Sequence, residues 1–121
     1  MTNGILEGDP AVRGITIELG NSNVVYFAAE VPSWVWGGAE VKGPLNLDET
    51  RGVVYKSVDA GQHWQRIWYG DNLARYVLVN PQNHDIIYVS TGIFDRHAAN
   101  FDADKPGGVG ILKSTDGGQT W

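Results

Sequence analysis

An octapeptide pattern that occurs twice constrains this chain more than any other feature. Residues 57–64 read Ser57-Val58-Asp59-Ala60-Gly61-Gln62-His63-Trp64, and residues 114–121 read Ser114-Thr115-Asp116-Gly117-Gly118-Gln119-Thr120-Trp121. Both fit S-x-D-x-G-x-x-W, so Ser57, Asp59, Gly61 and Trp64 are matched by Ser114, Asp116, Gly118 and Trp121. An apolar run ending in Lys precedes each copy, Val53-Val54-Tyr55-Lys56 and Val109-Gly110-Ile111-Leu112-Lys113. Apolar residues on both sides of a polar Asp/Gly turn signal a β-hairpin. Asp accepts hydrogen bonds from backbone N–H groups just beyond it, and Gly supplies φ > 0 without steric cost. Ser adds a second side-chain-to-backbone bond, and the Trp on the returning strand covers the turn. Every residue type has a folding role, so the motif reads first as a hairpin clip. A ligand or catalytic role for Asp59 or Asp116 comes second.

A longer repeat runs beneath the hairpins. At an offset of 62 (75 minus 13), Arg13 matches Arg75, Asn21 matches Asn83 and Tyr26 matches Tyr88. Ile15, Ile17, Val24 and Val25 fall on Val77, Val79, Ile86 and Ile87 at the same offset. Between the hairpin motifs the offset is 57 (114 minus 57), so the second copy is shorter by five residues (62 minus 57), which belong to the intervening loop. Self-similarity at a fixed period marks a repeat architecture. One repeat divides into four expected strands: A at about 13–19 and 75–80, B at about 24–29 and 86–91, C at about 53–57 and 109–114, and D at about 63–68. Tyr76-Val77-Leu78-Val79 is apolar on both faces, which predicts a strand covered on both sides. Residues 62–69 alternate polar with apolar, as an outer strand does.

The expected fold is all-β, a β-propeller fragment of about two four-stranded antiparallel blades. Residues 1–7 align with 63–69 and read as the outer strand of a preceding blade; residues 8–69 form the first blade and 70–121 the second, cut within its outer strand. Arrays of this kind bury their faces only against neighbours, so two blades imply a longer protein. A small stand-alone β-sandwich is the alternative.

Composition narrows the function classes. Sixteen Gly, with five Trp and five Tyr, suit turn-rich β structure. Net charge is −5 and the basic residues are scattered singly, so no nucleic-acid footprint is present. No apolar run has the length of a membrane span. The absence of Cys excludes a disulfide framework without fixing a compartment. Residues 1–8 lack a basic n-region and a long apolar core, so they do not read as a signal peptide.

The two hairpins resemble the Asp-box, or bacterial neuraminidase (BNR) repeat, in the run Tyr55-Lys56-Ser57-x-Asp59-x-Gly61-x-x-Trp64 and its second copy. The resemblance covers nearly the whole chain, from about residue 8 to 121. It implies a propeller of six to eight blades, or a double propeller, in an extracellular or cell-envelope protein. The family's members include sialidases, xyloglucan-type endoglucanases, sortilin-like receptors and a photosystem II assembly factor. A sialidase would carry an Arg-Ile-Pro-type motif; here the nearest stretch is Arg13-Gly14-Ile15, without Pro. The regular, dense spacing of the boxes is more similar to the endoglucanase and sortilin-like groups.

In such propellers the Asp-box turns lie on one face, and the B–C loops emerge on the opposite, functional face. Those loops are about 30–52 and 92–108, longer than a hairpin requires. The first carries Trp34 and Trp36, alternate residues that share one side of an extended segment and suit stacking on sugar rings. Burial of both in a blade interface is the competing role. The second carries Asp95, Arg96, His97, Asp102 and Asp104. The three carboxylates suit two-carboxylate glycoside chemistry, or oxygen ligation of a Ca²⁺, or simple ordering of the loop. Arg96 is a candidate ligand contact, or a partner for Asp95. No cofactor is required, and Asp102-x-Asp104 alone lacks the rest of a Ca²⁺ loop. Two classes of function follow: a glycan-acting or glycan-binding propeller, inactive as a fragment, or a non-catalytic scaffold for protein partners. In either class the remaining blades of the same propeller are partners.

Overall fold

A computed structural model describes residues 3–7, 10–31, 51–70, 73–92 and 110–121. These residues hold seven strands: β1 (Ala11–Ile17), β2 (Val25–Val31), β3 (Arg51–Ser57), β4 (Gln65–Gly70), β5 (Leu73–Val79), β6 (Ile87–Gly92) and β7 (Ile111–Ser114). They form two antiparallel up-and-down sheets, β1-β2-β3-β4 and β5-β6-β7, and no helix occurs among the described residues. The expected all-β chain of two antiparallel sheets is what forms.

The register shows why the sequence repeats. Ala11 pairs with Glu30 and Ile17 with Val25 in the first sheet; Leu73 pairs with Gly92 and Val79 with Ile87 in the second. Each pairing is the other shifted by 62 (73 minus 11). Both ladders also slip at the same place, between Val12 and Gly14 and between Ala74 and Tyr76, which makes Arg13 and Arg75 the bulged residues. A bulge sets one residue outside the strand ladder and re-aims its side chain. The recurring Arg thus marks a backbone irregularity, and Arg13 turns to pair with Glu30. The turns repeat too: Glu18 N–H donates to Val24 O (2.9 Å), and Asn80 N–H to Ile86 O (2.9 Å).

The ends of the expected strands shift by one or two residues, and two of the shifts have a visible cause. β1 spans 11–17 rather than 13–19, because Glu18 already belongs to the turn, where Asn21 Oδ1 accepts from Asn23 N–H. β4 begins at Gln65 rather than at residue 63, because Asp59 holds His63 N–H within the hairpin turn (2.8 Å).

The main core lies between the sheets. Val24, Tyr26, Ala28 and Val54 of the first meet Ala74, Val77, Ile87 and Val89 of the second. At Gly14 the backbones nearly touch, and a Cβ there would lie 2.5 Å from Arg75 O. A second cluster, Phe27, Ala29, Val53 and Tyr55, occupies the far face of the first sheet under Ile5, Val31 and Trp64. Phe27 stacks on Tyr55 (5.0 Å) and meets Trp64 edge-on (4.7 Å). The expectation that the strand containing Tyr76 and Leu78 is covered on both sides fails among the described residues. Val77 is buried against the first sheet, whereas Tyr76 and Leu78 lie exposed on the opposite face.

Candidate functional site

The two hairpin turns use one hydrogen-bond scheme. Ser57 Oγ–H donates to Asp59 Oδ1 (2.8 Å) and accepts from Gly61 N–H (2.9 Å); Ser114 does the same with Asp116 (2.7 Å) and Gly118 (2.9 Å). Asp59 Oδ1 accepts from His63 N–H, and Asp116 Oδ1 from Thr120 N–H (2.9 Å) and Gln119 N–H (3.0 Å). Hydrogen bonds to the ionised form stabilise it. The His63 backbone N–H and then its ring hold the Asp59 carboxyl down from 3.8 to about 2. The Thr120 hydroxyl and N–H do the same for Asp116, again from 3.8 to about 2. Both carboxylates are thus occupied within their turns. Ser57 and Ser114, nearly fully buried, are the pivots.

The clips also join neighbouring elements. Ala60 N–H donates to Asn23 O (2.8 Å), and Gly117 N–H to Asp85 O (3.0 Å). Trp121 Nε1–H crosses between the sheets to Ile67 O (2.9 Å). Ile67 is the residue that the β3–β4 ladder skips, between the pairs Val54–Trp68 and Tyr55–Arg66. Its position outside that ladder leaves the carbonyl free for the indole. Lys56 Nζ lies over the Tyr26 ring (5.4 Å), and Lys113 Nζ over Tyr88 (5.6 Å).

The β1–β2 turn and the β3–β4 clip lie at one end of the first sheet. Their counterparts share that end in the second, where His84 Nδ1 meets Glu18 Oε1 across the sheets (2.9 Å). The anchors of both long connections, Val31 with Arg51 and Gly92 with Ile111, lie at the opposite ends of their strands. Trp34, Trp36, Asp95, Arg96, His97, Asp102 and Asp104 lie outside the described residues. Ser57, Asp59, Gly61 and Trp64 are brought together in one clip, and Ser114, Asp116, Gly118 and Trp121 in the other. Among the described residues no group of three or more His, Asp or Glu is placed to hold a metal.

Two arrangements were not legible in the sequence. The Glu7 carboxylate, nearly buried, accepts from the Tyr55 hydroxyl and from Arg66 Nη1 (2.7 Å), while Tyr55 Oη accepts from Leu6 N–H (2.9 Å). Burial and then the Glu7 contact push the Tyr55 pKa up. The charges are paired and satisfied, so this network ties residues 3–7 to the first sheet. No spacing signal marks Glu7; Tyr55 and Arg66 stood out only as strand residues. The second arrangement is a hollow of about 540 Å³ on the open face of the second sheet, lined by Thr16, Tyr76, Val77, Leu78, Tyr88, Ser90 and Ile111. Exposed Tyr76 and Leu78 flank buried Val77 along β5, a periodicity that the doubly apolar β5 sequence conceals. Ser90 Oγ is buried and has no hydrogen-bond partner among the described residues.

No protein-family model matches the chain, and no curated protein matches it.

Proposed function

We propose that this chain is part of an exported BNR/Asp-box β-propeller that binds or acts on glycans, of glycoside-hydrolase-like type and inactive as two sheets alone. The observation that supports this reading is the division of labour between the sheet ends. Two clips with one hydrogen-bond scheme consume Ser57, Asp59, Ser114 and Asp116 at one end, while both long connections are anchored at the other. In this reading Trp34 and Trp36 stack on the apolar faces of sugar rings. Asp95, Asp102 and Asp104 supply carboxylates beside Arg96, and the endoglucanase-like group fits better than the sialidases.

Binding rather than turnover is the readout. Intrinsic Trp fluorescence is titrated with soluble β-glucan and sialylated oligosaccharides, for the unaltered chain and for the double variant Trp34→Ala/Trp36→Ala. A saturable response to β-glucan that weakens at least tenfold in the double variant is expected. No response across the panel overturns the glycan reading and favours the scaffold for protein partners.

A further inference from the structure

Residues 3–7 are held on the first sheet along their whole length. Asn3 O accepts from Trp64 N–H (2.7 Å), and Ile5 packs on the Phe27–Tyr55 cluster. Leu6 N–H donates to Tyr55 Oη (2.9 Å), and Arg66 Nη1 donates to Glu7 Oε1 (2.7 Å). The contact with Trp64 needs a tight turn. Asn3 has φ 46 and Gly4 φ 93, both in the left-handed region. Asn is one of the few side chains that enter this region readily. Gly4 has a second reason to be Gly, because a Cβ there would overlap Trp64 O. Seating the segment against the clip therefore selects Asn followed by Gly.

That pair is chemically labile. Asn is a thermolabile residue, and the next main-chain nitrogen attacks its side-chain amide most readily when that nitrogen belongs to Gly, where no Cβ obstructs the approach. Asn3-Gly4 is the one Asn-Gly pair in the sequence. The other Asn residues precede Pro, a bulky apolar residue, Ser or His. The two before Ser and His are held in their turns: Asn21 Oδ1 accepts from Asn23 N–H (3.2 Å) and Asn83 Oδ1 from Asp85 N–H (3.1 Å). Asn3 and Gly4 are exposed. Among the described residues neither the Asn3 side chain nor Gly4 N–H has a hydrogen bond.

We propose that Asn3 is a self-modification site, whose isoaspartyl product releases residues 3–7 from the first sheet. The Gly4 nitrogen bonds to Asn3 Cγ, the Cγ–NH₂ bond breaks, and ammonia leaves with the proton of Gly4 N–H. Water then opens the cyclic imide. Addition at Cγ gives Asp at position 3 and an unchanged main chain. Addition at the main-chain carbonyl of residue 3 leaves the chain running through Cβ and Cγ, which is the isoaspartyl linkage. The sum is amide hydrolysis, with no oxidant or reductant. The isoaspartyl chain is longer by one carbon, about 1.5 Å. Trp64 N–H, the Ile5 site and Tyr55 Oη are fixed points on the folded sheet, so the longer chain cannot meet all of them. The peptide between Asn3 and Gly4 is planar, so turning its nitrogen towards Cγ swings Asn3 O off Trp64 N–H. The segment must lift before it reacts, and the product keeps it from seating again. The release is one-way and uncovers Phe27, Tyr55 and Trp64 on the side of Ile5. It is independent of the glycan reading.

Ageing the full chain in mildly alkaline buffer tests this. Isoaspartyl methyltransferase labelling and mass spectrometry of the tryptic peptide ending at Arg13 follow the reaction. Isoaspartate is expected at Asn3 before any other Asn reacts, and about tenfold faster in urea, where no local opening has to precede the attack. Amide exchange of the aged fraction should be faster at Trp64 and Leu6 and unchanged at Gly118 and Thr120 of the second clip. Freshly purified Asn3→Asp keeps the main chain and should exchange as the unaltered protein does. Asn3→Gly keeps the left-handed turn without the amide and should neither label nor change with time. A folded chain that forms no isoaspartate at Asn3 overturns the proposal, as does earlier reaction at another Asn. Isoaspartate at Asn3 that leaves Trp64 and Leu6 exchange unchanged overturns the release, and equal rates in buffer and urea overturn the need for lifting. An Asn3→Asp chain that already exchanges fast at Trp64 would assign the release to charge instead of chain length and overturn it in that form.

Discussion

Ala60 and Gly117 occupy the same place in the two clips and differ only by a methyl group. Both have left-handed backbone, φ 58 at Ala60 and φ 72 at Gly117. A side chain in that conformation crowds the carbonyl oxygen, at a cost of about 1 kcal/mol. Gly117→Ala should therefore lower stability by about 0.5 kcal/mol and Ala60→Gly should raise it by about as much, since the extra freedom of unfolded Gly offsets part of the strain in both cases. Urea melts of the two single variants check the opposite signs. The Ser pivot is more demanding. Ser57→Ala removes an acceptor from Gly61 N–H and a donor to Asp59 in a buried position, and should cost about 1–3 kcal/mol. The carboxylates at the same turns set the acid limit. Folded Asp59 and Asp116 titrate near 2, below their ordinary 3.8, so they bind protons more weakly folded than unfolded. Their stabilising contribution is complete above 3.8 and disappears as pH falls through that value towards 2. Melting temperature followed from pH 5 to 2 should fall in this window, and the double variant Asp59→Asn/Asp116→Asn should flatten the fall.

At the scale of elements, the bulges carry the joints between sheets. Ile67 lies outside the β3–β4 ladder and gives its carbonyl to Trp121; Gly14 follows the β1 bulge and admits Arg75 O. Trp121→Phe keeps most of the apolar contact and loses the hydrogen bond, so it should cost about 1 kcal/mol. Gly14→Val drives a side chain into backbone and should cost about 1–3 kcal/mol or more. Chemical denaturation of each variant gives both numbers. The same places show what sequence could and could not reveal. The repetition of the register was legible as a constant offset of 62, but the pairing of residues within each sheet was not. The constant pairing of Arg13 with Arg75 was legible as a repeat, but not as a bulge, since a skipped residue leaves the offset unchanged. Strand ends moved by two residues where Asn21 and Asp59 draw backbone into turns by local side-chain bonds. The paired Asp residues of the clips were readable as structural because every residue type of the motif has a folding role in a hairpin turn. The Glu7–Tyr55–Arg66 network was not, because its members are far apart in sequence and meet only through the fold.

For the molecule as a whole, the position of the core decides how it unfolds. Val24, Tyr26, Ala28 and Val54 reach from one sheet, and Ala74, Val77, Ile87 and Val89 from the other, into one cluster. Burial there also helps push Tyr26, with the Glu18 and Asp85 carboxylates near it, up to about 12. A three-stranded sheet separated from the first would expose Val77, Ile87 and Val89 together, and the first sheet would lose the cover over Tyr26 and Val54. Neither sheet retains a buried face equal to the shared one, so the two should open as one cooperative unit. Val77→Ala, in β5, removes two methyl groups at the centre of the contact and should cost about 2 kcal/mol. That cost corresponds to about 30-fold faster exchange of amides that open only globally. Hydrogen–deuterium exchange should show this acceleration in β2 and β3 of the first sheet as fully as in β6 of the second, although the substitution lies in neither of the first two strands. Acceleration confined to β5–β7 would mean that the second sheet opens alone, and that the shared cluster joins two independently stable sheets.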